Sequence, residues 1–413
     1  MHDLRQAERG FPERADEHQA TTDQRNEGPE LRGRLTRALA EGVPSEPIAD
    51  HEGAALLDAV LGEDALVAVA VSGGPDSTAL LHLTDRWARS RNRRLLVLTV
   101  DHGLRAEAAE EASSVAALTR ALGHAHRIIP WQGAKPATGL QAAARDARLT
   151  LLTSACHAAG AGVLLLAHHR EDQAETVLHR IDRDTGPEGL AGMAPESWRD
   201  GVRLIRPFLA VSKDRLVATC RAAGLGYADD PSNADPRFSR VQLRRMRADL
   251  DAVGLTVDRL TRLAAALGTA RQWMEVEVRA WLSAHGVVHG CGTMRFDRAA
   301  FVETPETFAA AVLRGALRIA GGGGYPPRTA ALSELIGWAS SSPAGSRRTL
   351  GGCLVEIDGD SVVVLRELAA CAPDRTIEAG TACWDGRFLI ATAPPMSSGS
   401  APAGRRVGVG SSG

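Results

Sequence analysis

Residues 65–83 read ALVAVAVSGGPDSTALLHL, which is an apolar run, a glycine turn and then a helical pattern. The run at 65–71 is nearly unbroken and rich in valine, which predicts a strand buried on both faces. The two glycines allow a tight turn, and the apolar spacing from Ser77 onward predicts a helix. A strand, a turn and a helix in this order are typical of a parallel α/β sheet.

The same alternation continues through the next hundred residues. Apolar segments predict strands at 94–100, 126–131 and 162–168, and the segments between and after them predict helices at 106–122, 141–159 and 172–181. Strands without polar alternation, separated by helices, indicate a doubly wound parallel sheet. Ligands bind to such sheets beyond the carboxyl ends of the strands, which is where the turn at 72–77 is expected.

Composition divides the chain into four segments. Residues 1–50 are polar, with Phe11 as their only aromatic residue, and are predicted to be a disordered tail apart from a helical pattern at 31–40. Residues 51–250 form the predicted α/β domain. Long helical patterns followed by strand patterns predict a smaller mixed α/β domain at 251–395, and a tail rich in small residues follows at 396–413.

Composition also limits the classes of protein to which this chain can belong. Hydrophobic residues make up 44% and charged residues 24%, values usual for a soluble globular protein. No apolar run is long enough to span a bilayer and the N-terminus lacks a signal-peptide core, so we predict a cytoplasmic protein without membrane contact. The closest pair of the six cysteines is twelve residues apart, which argues against zinc, iron–sulfur or persulfide chemistry.

The hexapeptide SGGPDS at 72–77 carries the clearest chemical signal. Its glycines turn backbone N–H groups towards an anion, its serines add hydroxyl donors, and the helix that follows adds the positive end of its dipole. No lysine follows, so the segment is not a Walker-type phosphate loop. It is similar to the SGGxDS loop of the PP-loop ATP pyrophosphatases, a resemblance that implies cleavage of ATP to AMP and pyrophosphate.

Further motifs resemble the tRNA(Ile)-lysidine synthetase family over about residues 65–250. A DPSN run placed before an arginine cluster is the most specific of them. In chain order they are VDHGLR at 100–105, ARDAR at 144–148, HHREDQAET at 168–176, GLAGM at 189–193, RPFL at 206–209 and DDPSN at 229–233.

This resemblance implies a ligase with ATP and Mg²⁺ as cofactors and the anticodon region of an isoleucine tRNA as partner. Members adenylate the C2 oxygen of the wobble cytidine in a CAU anticodon, and the amine of free lysine then displaces AMP to give lysidine. The anticodon is single-stranded, so its bases can be splayed out at low cost. No lysine pocket can be read from the sequence, and a homodimer is left open.

The resemblance also implies roles for individual residues. Asp76 and Asp172 would hold Mg²⁺ and act in catalysis, while Arg145 would contact the adenylate phosphate or the cytosine. The residues themselves leave alternatives open: a helix cap for Asp172, a solvated helix face for Arg145, and packing or capping for the two histidines. The nucleotide site is expected to comprise Ser72, Gly73, Gly74, Pro75, Asp76, Ser77, Asp101, His102 and His169.

A basic segment follows the DDPSN motif. Ten basic and four acidic side chains lie between 203 and 247. The expected tRNA-binding residues are Arg237, Arg240, Arg244 and Arg247. Helical spacing would place the last three on one face, which suits a run of backbone phosphates, and an ordinary solvated helix is the alternative.

The chain departs from the usual family pattern at four places. RDTG replaces RGSG at 183–186, Glu171-Asp172 replaces paired aspartates, Leu149 replaces a tyrosine and Val241 replaces an asparagine. None of these changes removes the loop or Asp172. An acidic Asp184 near phosphate groups would weaken contact with nucleotide or tRNA, or change the path of its loop.

Two alternative functions remain open. A tRNA thiolase carries the same loop, but it needs cysteines placed for sulfur transfer. A nucleotide-binding protein without catalysis is the other alternative, and the retained Asp76 and Asp172 argue against it.

Overall fold

The structure is a computed structural model. It describes residues 45–103, 107–132, 140–182, 186–228, 242–243, 245–322, 327–373, 375–377, 380–392 and 405–407. The predicted disordered tail up to residue 44, with its helical pattern at 31–40, and the last segment apart from 405–407 lie outside the described residues. Residues 46–413 group into one compact unit.

A six-stranded sheet with the order β3-β2-β1-β4-β6-β5 forms the centre of the first half. Neighbouring strands run parallel except for β5, which pairs antiparallel with β6. The strands are β1 Leu66–Ala70, β2 Arg94–Asp101, β3 Ala125–Pro130, β4 Val163–Leu165, β5 Glu196–Arg199 and β6 Val202–Ile205. The predicted α/β fold and its first four strands are confirmed.

Helices cover both faces of this sheet. They are α1 Asp50–Asp58, α2 Pro75–Arg91, α3 Glu107–Leu122, α4 Leu140–Ala159, α5 Arg170–Ile181, α6 Pro187–Leu190 and α7 Lys213–Ala222. Alternate residues of β1 pack into two different hydrophobic cores: Val67 and Val69 belong to one, and Ala68 and Ala70 belong to the other. Burial on both faces explains why the strand is apolar without alternation.

The β5–β6 hairpin was not predicted. Its strands have four residues each, too few for a clear period. Asp200 and Gly201 join them with φ values of 49° and 76°, the positive values that a two-residue hairpin turn requires. The Asp-Gly pair is therefore the signal that marks this hairpin in the sequence.

The second half contains a separate antiparallel sheet with the order β7-β8-β11-β10-β9. Its strands are β7 Gly286–Val288, β8 Met294–Asp297, β9 Arg347–Leu350, β10 Cys353–Asp358 and β11 Ser361–Arg366. Its helices are α8 Arg247–Ala252, α9 Val257–His285, α10 Arg298–Val302, α11 Glu306–Gly321 and α12 Thr329–Ser341. Two small sheets pair β12 Arg375–Ile377 with β15 Arg405–Val407, and β13 Gly380–Trp384 with β14 Phe388–Thr392.

The long helix α9 connects the two halves. Near its start, Leu260 and Ala264 pack against Ala174 and Val177 of α5. Near its end, Val278 and Leu282 belong to the core beneath the second sheet. The helix that carries Asp172 therefore rests directly on the second half. Among the described residues, no helix is both long and apolar enough to cross a bilayer.

Candidate active site at the carboxyl edge of the sheet

The loop at 72–77 follows β1 and includes the first turn of α2, and its own serines hold it in place. The hydroxyl of Ser77 donates to the carbonyl of Gly74 at 3.0 Å and accepts from the backbone N–H of Ser72 at 3.1 Å. Gly73 has φ +93°, which a side chain would strain, and Pro75 opens the helix where no N–H is needed. This preorganised turn has the geometry expected of a phosphate loop.

Asp76 and Asp172 converge on one buried histidine. Nε2 of His169 lies 3.6 Å from Oδ2 of Asp76 and 3.4 Å from Oδ2 of Asp172. Asp76 belongs to the first turn of α2 and Asp172 to that of α5, and both helices start just after parallel strands end. Burial opposes protonation of His169, but Glu171, Asp172 and Asp76 outweigh it and raise its pKa.

Asp172 also fulfils the alternative expectation of a helix cap. Its Oδ2 accepts a hydrogen bond from the backbone N–H of His169 at 3.2 Å, at the start of α5. The same oxygen of Asp172 lies 3.4 Å from Nε2 of His169, the nitrogen that Asp76 also approaches. The two readings of Asp172 are therefore compatible.

Glu171 ties two helices together. Its Oε2 lies 3.0 Å from Nδ1 of His169 and accepts from the backbone N–H of Lys213, at the start of α7, at 2.9 Å. Burial opposes ionisation, but these two hydrogen bonds lower the pKa of Glu171. The glutamate that replaces the family's usual aspartate thus positions His169 and α7.

The carboxylates of Asp76 and Asp172 suit a magnesium ion. Mg²⁺ prefers oxygen ligands and is commonly held by one or two carboxylates together with substrate phosphates. Both carboxylates lie within 4 Å of the same nitrogen of His169, close to the loop that would take those phosphates. The donor set and its convergence fit the ion that the family resemblance implies.

Asp101 and His102 lie at the end of β2, beside β1. The carboxylate of Asp101 accepts from the N–H of Gly103 at 2.8 Å, and its carbonyl accepts from the N–H of Trp131 at 2.8 Å. The ring of His102 meets that of Trp131 edge-on, with centroids 6.1 Å apart. These contacts order the neighbouring strand ends, and the roles of both residues in nucleotide binding stay predictions.

A cationic cluster surrounds His168 at the end of β4. Burial lowers the pKa of His168 to about 3, and Arg206, Arg148 and Arg145 act in the same direction against Asp172. Burial and Arg145 lower the pKa of Arg206 to about 10. Arg145 is exposed, but its charge contributes to the lowered pKa values of His168 and Arg206. Of these four residues, the sequence had marked only Arg145 as a site residue.

The GLAGM segment is clamped to α5. The side-chain amide of Gln173 donates to the carbonyl of Met193 at 2.9 Å and accepts from its N–H at 2.7 Å. Arg180, from the same helix, donates to the carbonyl of Gly192 at 2.8 Å. Gly192 has φ +66°, and a Cβ there would lie 2.7 Å from the Gln173 amide, so only glycine fits.

Leu149, the replacement for the usual tyrosine, packs against the core on the α4 side of the sheet. Asp184, Val241 and the DDPSN motif at 229–233 lie outside the described residues. Ala228, which directly precedes that motif, donates its N–H to the carbonyl of Gly73 at 2.9 Å. The chain therefore enters the motif beside the loop.

The basic segment is described only in part. Arg237, Arg240 and Arg244 lie outside the described residues. Arg247 begins α8, where it forms an ion pair with Asp251 and donates to the carbonyl of Leu255 at 3.0 Å. Its contact with tRNA stays a prediction and would compete with these bonds.

Known proteins match this chain over the segment in which the candidate site lies. The model of the PP-loop domain family matches residues 50–248. The tRNA(Ile)-lysidine synthase of Bradyrhizobium diazoefficiens is 41% identical over 342 residues, which cover 78% of this chain and 94% of that protein. The enzyme of the same name from Methylobacterium sp. (strain 4-46) is 45% identical over 309 residues, which cover 73% and 89%.

The U34-tRNA thiolase of Methanococcus maripaludis is a solved structure that matches part of this chain. It matches with a TM-score of 0.46 and 16% identity, covering 53% of this chain and 79% of that one, a similarity too low to bear on function. The two lysidine synthases, by contrast, match over most of their own length. The match to the PP-loop domain model spans the loop and both aspartates of the site. This chain belongs to the tRNA(Ile)-lysidine synthase family.

Proposed function

We propose that this protein ligates lysine to C2 of the wobble cytidine in an isoleucine tRNA with a CAU anticodon, using ATP and Mg²⁺. The observation that carries the proposal is the meeting of Asp76 and Asp172 on His169 beside the Ser72–Ser77 loop. Membership of the family supports the choice of tRNA and lysine.

In the first step, the cytidine C2 oxygen attacks the α-phosphate of ATP and pyrophosphate leaves. The N–H groups and hydroxyls of the loop would bind the departing pyrophosphate, helped by the dipole of α2. Asp76 and Asp172 would hold Mg²⁺, which supplies positive charge against the charge that builds up on the phosphates. The guanidinium of Arg145, close to Arg206, would bind the remaining α-phosphate or the cytosine.

In the second step, the neutral amine of lysine attacks C2 and AMP leaves. Adenylation turns the C2 oxygen into a good leaving group, and lysine must lose a proton before it attacks. The arginines near His168 would stabilise the negative charge that AMP carries as it leaves. Binding of tRNA phosphates by Arg237, Arg240, Arg244 and Arg247 would hold the anticodon at this site.

The thiolase alternative is weakened by the buried cysteines of the α/β half, although hydrogen bonds with Thr293 lower the pKa of the exposed Cys291 in the second half. Sulfur transfer requires reactive thiolates, and thiolate formation depends on a lowered pKa. Burial raises the pKa of Cys156 to about 12, and burial together with Asp76 raises that of Cys220 to about 11. Cys220 contacts the loop, where its thiol donates to the carbonyl of Pro75 at 3.3 Å.

The proposal is tested by separating the two steps. With ATP labelled at the α-phosphate and tRNA but no lysine, the label should become attached to tRNA. Addition of lysine should release the label as AMP and incorporate lysine into tRNA. Incorporation from a sulfur donor instead would select the thiolase, and binding of ATP without any transfer would select the non-catalytic alternative.

A further inference from the structure

Residues 186–193 lie between the two halves of the molecule and contact both of them. We call these residues the bridging segment, which comprises α6 and the GLAGM motif. Towards the first half, the side-chain amide of Gln173, the residue after Asp172 in α5, makes two hydrogen bonds with the backbone of the segment. Towards the second half, Glu188 forms an ion pair with Arg314 of α11. The bridging segment therefore joins α11 to the helix that carries Asp172.

The ion pair between Glu188 and Arg314 is partly shielded from water and is anchored on a tightly packed helix. The side chains of Arg314 and Glu188 are 24% and 38% exposed, so solvent screens their attraction less than it would screen a fully exposed pair. Leu313 and Gly315, on either side of Arg314, are buried. A Cβ on Gly315 would lie 3.1 Å from the side chain of Val278, so α11 contacts α9 closely at this point. The position of Arg314 is therefore set by the core of the second half.

The carbonyl of Gly192 is bound from both halves. It accepts a hydrogen bond from Arg180 of α5 at 2.8 Å, and Arg271 of α9 donates to the same oxygen at 3.5 Å. The left-handed backbone at Gly192 restricts the path of the segment further. A displacement of the bridging segment relative to α11 would therefore be passed on to its hydrogen bonds with α5.

A displacement of α5 would alter the active site. Asp172 lies on α5, which packs against α9 through Ala174 and Val177, whereas Asp76 lies on α2, which packs in the core of the sheet. The two carboxylates keep their separation only while α5 keeps its place relative to α2. Reaction rates are sensitive to such changes, since a misplacement of about 1 Å can lower a rate by about a hundredfold.

We propose that Glu188 and Arg314 are positioning residues for Asp172. Their ion pair holds the bridging segment, and through it the start of α5, in the place that adenylation requires. The effect on the reaction rate rests on the proposed function. The effect on α5 does not, because it can be measured without substrates.

The first experiment measures the steady-state kinetics of AMP formation. Glu188→Gln and Arg314→Gln should each lower kcat roughly tenfold or more and change the KM for tRNA less than about threefold, because positioning affects the transition state more than binding. Arg318→Gln is the matched control and should keep its kcat. Arg318 lies one turn further along α11, and its partner Glu275, at 4.0 Å, belongs to the same half of the molecule.

Charge reversal tests whether the pair itself carries the effect. Glu188→Arg and Arg314→Glu each place like charges opposite one another and should lower kcat at least as much as the neutral variants. Combining the two reversals restores an attractive pair and should bring kcat back to within about threefold of wild type. Far-UV circular dichroism establishes that each variant is folded.

A measurement without ATP, metal or tRNA follows α5 directly. Hydrogen–deuterium exchange read by mass spectrometry should be roughly two- to fivefold faster in Glu188→Gln, both in the bridging segment and at the start of α5, as expected for loss of a partly exposed ion pair. The Arg318→Gln variant should exchange like wild type in both places.

Four outcomes would overturn the proposal. They are single variants that keep their kcat, a double reversal no better than its singles, faster exchange confined to the bridging segment, and a raised KM for tRNA with unchanged kcat. The last would assign the pair to tRNA binding. If wild type itself incorporates no lysine, the proposed function fails, and the exchange data still decide whether the pair positions α5.

Discussion

Replacing Gly192 with alanine tests how the structure holds the GLAGM segment against the helix that carries Asp172. The residue has φ +66°, and an added Cβ would lie 2.7–2.8 Å from the atoms of the Gln173 side-chain amide. That amide cannot swing away freely, because it makes two buried hydrogen bonds with the backbone of Met193. The variant must therefore adopt a strained backbone and also displace the clamp.

The two costs can be worked out separately. A non-glycine residue in the left-handed region costs about 1–2 kcal/mol. Losing two buried hydrogen bonds of about 0.5–1.5 kcal/mol each adds about 1–3 kcal/mol. Gly192→Ala should thus lower the free energy of unfolding by about 2–5 kcal/mol. Gly224→Ala is the matched control, since Gly224 has φ +64° and nothing within 4 Å of the added Cβ.

The assay is urea unfolding followed by circular dichroism, supplemented by AMP formation from the folded protein. Gly192→Ala should be the more destabilised of the two variants and should lose more activity, because the displaced Gln173 is adjacent to Asp172 in α5. In a Gln173→Ala background the clash disappears, and the cost of Gly192→Ala should fall to that of Gly224→Ala. Equal destabilisation of the two glycine variants in the wild-type background would refute the reasoning.

Asp76→Asn and Asp172→Asn should each abolish AMP and pyrophosphate formation, because they remove a carboxylate that would hold Mg²⁺, whereas the exposed Asp249→Asn should retain activity. Near-normal turnover of either site variant would exclude its catalytic role. Arg240→Ala should weaken tRNA binding without affecting the dissociation constant of ATP, and should lower the slope of log affinity against log salt by roughly 0.7 to 0.9. The reverse pattern would place Arg240 in the nucleotide site. Burial, assisted by nearby arginines, holds the pKa of His168 at about 3, below its unfolded value, so the unfolded chain binds more protons as pH falls. The contribution of His168 should therefore be intact above pH ~6.5 and lost at about 1.4 kcal/mol per pH unit below it, and His168→Gln should unfold with a shallower pH dependence. Parallel profiles for the two proteins would contradict this.

The sequence predicted the parts of the fold that depend on local pattern. Strands β1 and β4 are apolar throughout because helices cover both faces of the sheet. The helices between these strands have apolar residues at clear helical spacing. The β5–β6 hairpin was not predicted because strands of four residues are too short to show a pattern of alternating apolar residues. Its Asp200-Gly201 turn could have been recognised. Among the four strands that were predicted, β3 is the exception, since it is an edge strand with an exposed face that includes Ile128.

The candidate site could likewise be predicted only in part from the sequence. The motif identified Asp76, Asp172 and His169 individually, and their convergence follows from helices that begin at adjacent strand ends. The role of Glu171 in binding the N–H of Lys213 depends on two helices distant in sequence, so no local pattern reveals it. The same is true of the cluster around His168, where Arg206 and Arg148 arrive from separate elements.

Incubation of the full chain with ATP labelled at the α-phosphate, labelled lysine and tRNA of defined anticodon is the most direct test of the proposed reaction. We predict that AMP, pyrophosphate and lysine-bearing tRNA form in equal amounts, only when the tRNA carries a CAU anticodon. Release of ADP and phosphate, or AMP formation without incorporation of lysine into that tRNA, would contradict the account.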